Sequence, residues 1–147
     1  MRIQAEAARR GRKIVGGFYL SMGGVHLGIV AADPQAYRHF ADGSFLGFVR
    51  TGWSEVFMVH PAAWGFALFL GETLLGLCLL AGGRWVRAGW VGVIAFHVGL
   101  MLFGFGIWLW SVPALALLVT LARVDWPQTT APAPRGPVGP LPAYGEG

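Results

Sequence analysis

The sequence predicts an all-α fold, a bundle of four transmembrane helices with an aromatic-rich outer loop between the first two, and three observations carry that expectation. The 147-residue chain is 55% hydrophobic but only 12% charged, about half the charged share of a soluble domain. Its apolar residues fall in long stretches without charge, and its basic residues collect at the ends of those stretches. Eighteen charges cannot cover the surface of so small a globule in water. An ordinary cytosolic enzyme is therefore excluded. A single cysteine, Cys78, excludes both a disulfide framework and paired-thiol chemistry.

Residues 1–13 carry Arg2, Arg9, Arg10, Arg12 and Lys13 and read as a basic arm able to form a short amphipathic helix on the cytoplasmic surface. The four-helix domain, 14–126, opens with the charge-free stretch 14–32, nineteen residues and close to one bilayer crossing. Val30-Ala31-Ala32 ahead of Asp33 has the small residues of a cleavage site, but the apolar stretch is longer than a signal core, so an uncleaved helix is expected. The outer loop, 33–55, mixes aromatic residues with Arg38, His39, Asp42, Arg50 and Glu55, which suits a lid lying in the headgroup region. A second helix is expected over 56–81, with Ser54 as a cap and Pro61 bending it or starting its buried part.

From Ala88 to Ala122 no charge occurs for thirty-five residues. One helix of that length would run about 52 Å, against a hydrocarbon core of about 30 Å. The stretch must fold back, giving helices near 86–104 and 107–123. Gly104-Phe105-Gly106 is the better turn; Ser111-Val112-Pro113 would leave the last helix too short. The tail, 127–147, has six prolines and four glycines in twenty-one residues and is expected to be a disordered cytoplasmic segment. With both termini cytoplasmic, nine of the eleven basic residues lie inside, as the positive-inside rule requires. Trp85 and Trp126 then mark the inner interface, Trp108 and Trp110 the outer one. The basic residues hug span ends, where they meet lipid headgroups, so nucleic-acid binding is not expected. Ten arginines against one lysine suggest a GC-rich bacterial genome, hence a bacterial cytoplasmic (inner) membrane.

Three ionisable residues fall inside spans, where each costs a few kcal/mol unless it meets a partner or a cavity. His26 and His97 each lie twelve residues from a cytoplasmic helix end and Glu72 nine from its own, so all three fall within about one turn of the same depth. The layer could be a hydrogen-bonded cluster that fixes packing. A second reading is a quinone-type or proton-linked site, with Phe96, Phe103 and Phe69 as an aromatic wall. A haem b between His26 and His97, or a metal held by His26, His97 and Glu72, has less support, because no further ligand motif or spacing accompanies them. If the loop instead forms the mouth of a site, His39, Glu55 and His60 are its candidates. No nucleophile arrangement or phosphate-binding loop is present, and Gly82-Gly83 reads as a turn.

From Ser21 to Asp125 the chain resembles the DoxX-like family of small four-helix membrane proteins. Ser21-Met22-Gly23-Gly24-Val25-His26-Leu27 looks like that family's Ser-Gly-x-x-Lys-Leu stretch, with His26 where lysine is frequent. Pro61, Glu72, Gly76, a leucine run, Gly82 or Gly83 and then Arg87 follow in the family's order, and Arg123-Val124-Asp125 is similar to its Arg-x-x-Asp end. The resemblance implies a redox-associated, quinone-linked membrane subunit, and it carries over Glu72, Gly24 and Arg87. The expected function is thus an accessory subunit lending a quinone-adjacent or proton-linked site to a membrane redox complex, non-catalytic on its own. Its partners would be lipid and either other membrane subunits or further copies of itself. The competing expectation is a purely structural small subunit that braces a larger membrane complex.

Overall fold

The computed structural model describes residues 2–129; the expected disordered tail lies outside them from residue 130 onward. Among the described residues there are helices and turns and no strands. Helix α1 spans Arg2–Ala32, a short α2 spans Gly47–Gly52, and α3, α4 and α5 span Pro61–Ala81, Arg84–Leu100 and Phe105–Asp125. Four of these, α1, α3, α4 and α5, are long and apolar enough to cross a membrane. The protein is an all-α, multi-pass bundle.

The basic arm and the first span form one helix rather than two segments. Ala8 is buried, and a Cβ on Gly11 would come within 2.8 Å of Leu121, so the arm packs along α5. Helix α1 ends where Asp33 accepts from the Gln35 amide at 2.9 Å and Pro34 opens a 3-10 turn over Pro34–Tyr37. Helix α3 begins at Pro61, which needs no amide donor at a first helical position. Residues Trp53–Phe57 ahead of it form a separate π turn, and Ser54 donates to Thr51 instead of capping a helix. Gly82 and Gly83, at φ of 85° and 58°, make the α3–α4 turn.

The fold-back inside the long apolar stretch falls at Gly104, at φ 95° after a 3-10 turn over Met101–Phe103. Ser111, Val112 and Pro113 all lie inside α5. Only glycine fits position 104, because a Cβ there would stand 1.9 Å from the Gly43 carbonyl oxygen. The same contact seats the lid: Ser44 donates to the Leu102 carbonyl at 2.6 Å, and Arg50 donates to the Ser44 carbonyl. Gly104→Ala is expected to destabilise the fold by at least about 2 kcal/mol through backbone strain and steric exclusion. A thermal melt in detergent micelles reads the loss, and a wild-type melting temperature would contradict it.

Helix α1 packs on α3 and α5, and α4 packs on the same two, so α1 and α4 stand diagonally across the bundle. Val15, Tyr19, Leu79, Val86, Trp90, Val93, Leu118 and Ala122 form a close-packed core. All of them lie in the half of the bundle nearest the basic arm. The half nearest the lid holds a cavity instead.

Candidate functional site

On α3, Gly65, Glu72 and Gly76 recur at helical spacing and share one face. That face meets α1 at close range. A Cβ on Gly76 would lie 2.7 Å from the Gly16 carbonyl oxygen, and one on Gly23 would lie 3.1 Å from the Phe69 carbonyl oxygen. Small residues let two membrane helices approach this closely. The approach buries Glu72 to 4% exposure and brings His26 Nε2 to 3.6 Å from Glu72 Oε2.

The lid supplies the third member. Tyr37 is buried, and its hydroxyl lies 2.6 Å from His26 Nδ1, with the two rings stacked at 5.7 Å. Burial first, and the Glu72 charge second, push the Tyr37 phenol above its ordinary range. It therefore holds its proton at neutral pH. The assignment that satisfies both ends has Tyr37 donating to Nδ1, which leaves the proton of His26 on Nε2, directed at Glu72. At 3.6 Å that contact is too long for a hydrogen bond. Glu72 Oε2 is accordingly buried with no hydrogen-bond partner. A buried polar atom left in that state calls for an explanation.

The explanation lies beside it. His26, Tyr37 and Glu72 stand on the wall of a cavity of about 820 Å³ whose remaining lining is almost wholly apolar, built from α1, α3, α4, the lid and Trp110. This volume and character match sites for small organic ligands. An aromatic stack roofs the cavity. Trp53 lies 3.8 Å over Phe57 and donates its indole proton to the Tyr37 carbonyl at 2.9 Å, while Phe40 meets Phe103 at 4.8 Å. Phe96 and Phe103 line the cavity as the aromatic wall; Phe69 packs on Phe66 and does not.

His97 does not join the other two. It is buried at 3% exposure, off the cavity wall, with Nδ1 at 2.8 Å from the Tyr19 hydroxyl and 3.1 Å from the Val93 carbonyl oxygen. The equal depth inferred along the helices fixes no angle around them, and Tyr19 of α1 reaches across the bundle diagonal to take His97. A haem held by both histidines does not fit this arrangement, since only His26 faces the cavity. Among the described residues no three of His, Cys, Asp and Glu gather as a metal ion would require. The loop candidates sit apart from the cavity: His39 pairs with Asp42 at 2.8 Å on the surface, Glu55 lies in the exposed π turn, and His60 stands at the N-cap position of α3. Gly24 faces outward with nothing within 4 Å of a Cβ. Arg87 lies 5.1 Å over the Trp126 ring and donates to Thr129 at 2.8 Å.

Two groups escaped the reading of the sequence. Tyr37 looked like one aromatic among many in the loop. The second is a buried ion pair at the arm end: Arg12 lies 3.1 Å from Asp125 Oδ2, and the Trp90 indole donates to the same oxygen at 3.0 Å. A signal for it was present, since an acid in the last turn of a helix opposes the helix dipole and needs a cation or donor. No family model, curated protein or solved structure matches this chain.

Proposed function

We propose that the protein is an accessory subunit of a bacterial cytoplasmic-membrane redox complex, of the DoxX-like kind, and that its cavity takes the head of a quinone-type ligand. The carrying observation is the buried Glu72 Oε2, without a hydrogen-bond partner, on the wall of an apolar cavity. A ring bearing oxygens satisfies both polar groups there. Nε2–H of His26 can donate to a ring carbonyl, and the Glu72 carboxylate can accept from a ring hydroxyl. A bound quinone supplies two-electron, two-proton redox chemistry. The chain's own part is to orient the head between His26 and Glu72, to exclude water with the aromatic lid, and to hold a proton at Glu72 or His26. The concentration of basic residues beside the arm end supports a cytoplasmic location for both termini.

The test is a titration of the purified protein in lipid nanodiscs with decylubiquinone, read by tryptophan fluorescence, because Trp53, Trp64 and Trp110 line the cavity. Saturable quenching is expected. Glu72→Gln is expected to bind about tenfold more weakly, the worth of one charge-assisted hydrogen bond. Absence of saturable quenching in the wild type, together with absence of quinone from its lipid extract, would refute the reading in favour of the bracing subunit.

A further inference from the structure

The cavity needs an entrance, and the packing leaves one. The α1–α3 seam is closed by the glycine contacts described above, and the lid end is roofed by stacked aromatic rings. Helices α3 and α4 behave differently along their length. Near their turn they touch: a Cβ on Gly89 would come within 2.9 Å of Leu79, and one on Gly92 within 2.2 Å of Leu75. Farther toward the lid they part. At Gly71 of α3 and Gly99 of α4 a Cβ would meet nothing within 4 Å, yet both glycines line the cavity.

The exposure of the walls agrees. Trp64, Ala67, Gly71 and Leu74 form one helical stripe on α3 that both lines the cavity and lies open to the outside, with Leu74 at 61% exposure. Opposite them stand Phe96 and Gly99 of α4 and Phe103 of the 3-10 turn that follows it. The gap lies within the membrane-crossing length of both helices, so what it opens to is lipid rather than water. At its inner end stands Glu72, whose Oε2 accepts no hydrogen bond.

Resting on the quinone-site reading above, we propose that the α3–α4 gap is a lateral portal. Through it a lipid-dissolved ligand with a hydrogen-bonding ring head enters from the bilayer. Gly71 and Gly99 are the jambs. They keep the path open by lacking side chains, and they take no part in holding the head.

A portal sets rates and leaves equilibrium alone, which separates it from a binding contact. In nanodiscs of phosphatidylethanolamine and phosphatidylglycerol, stopped-flow tryptophan quenching by decylubiquinone reads both rates. Gly71→Phe and, independently, Gly99→Phe are expected to slow association and dissociation together by about tenfold while Kd stays within about twofold. Gly24→Phe places the same bulk on an outward face of α1, and it is expected to keep wild-type rates. Wild-type rates in both rim variants would overturn the portal while leaving the site intact. So would a weakened Kd caused by faster release, which would make the glycines part of the binding surface. If the wild type shows no saturable binding, the site reading itself fails, and the portal with it.

Discussion

Asp125→Ala is expected to cost the folded bundle about 3–5 kcal/mol, the range for breaking a buried ion pair by removing one partner. The Asp125 side chain is fully buried, while that of Arg12 is 14% exposed. The carboxylate is the meeting point of three helices: α5 carries it, α1 brings Arg12 and α4 brings Trp90. Without it, the guanidinium and the indole N–H are both left without an acceptor in the close-packed half of the bundle. Asp125→Asn keeps an acceptor for Trp90 and is expected to lose less. The double variant Arg12→Met with Asp125→Leu is expected to recover the part of the loss due to the stranded guanidinium, because an apolar pair carries no desolvation cost, while the Trp90 N–H stays without an acceptor. Reversible unfolding in mixed micelles, followed by circular dichroism, measures all three. A loss below about 1 kcal/mol in Asp125→Ala would mean that water or lipid headgroups already solvate the pair, as at an exposed bridge.

That pair also shows where the sequence was legible and where it was not. The spans could be read because a membrane helix is defined by what it lacks, and charge is absent from 14–32 and 88–122. The turn at Gly104 could be read because two crossings cannot be one helix and glycine alone takes the required backbone angles. The pairing of His26 with Glu72 followed from depth, since residues at one level on adjacent helices can meet. Depth says nothing about direction around the axis, which is why His97 was grouped with them. Its placement is decided by α4 standing diagonal to α1 and by a tyrosine long enough to cross between them. The basic arm read as a surface segment because five cations in twelve residues suggest contact with lipid headgroups. Within α1 it instead packs along α5, where Arg12 meets an aspartate more than a hundred residues away. Tyr37 was hidden for the same reason: a loop residue acquires its role from where the lid is pinned, at Gly43, Ser44 and Gly104.

Glu72→Leu is expected to raise the stability of the bundle by about 1 kcal/mol or leave it unchanged, while abolishing ligand binding. The sign is what matters. If Glu72 were a packing bond between α1 and α3, its removal would cost stability, as losing a satisfied hydrogen bond does. The geometry argues otherwise, because Oε2 has no hydrogen-bond partner and the His26 donor facing it stands beyond hydrogen-bonding reach. A carboxylate kept in an apolar cavity without a full set of partners is a standing cost to the fold. Leucine matches its bulk and removes that cost. The α1–α3 seam is held by the backbone approach at Gly16, Gly23 and Gly76, none of which depends on the carboxylate. Two measurements on one variant therefore decide between the two readings of this layer: micelle unfolding for stability, and decylubiquinone titration for binding. A stabilised or unchanged protein that no longer binds marks Glu72 as retained for a ligand at the expense of stability, the usual trade at a functional site. A destabilised one would make it part of the bundle's architecture, with the cavity left as a gap between lid and core.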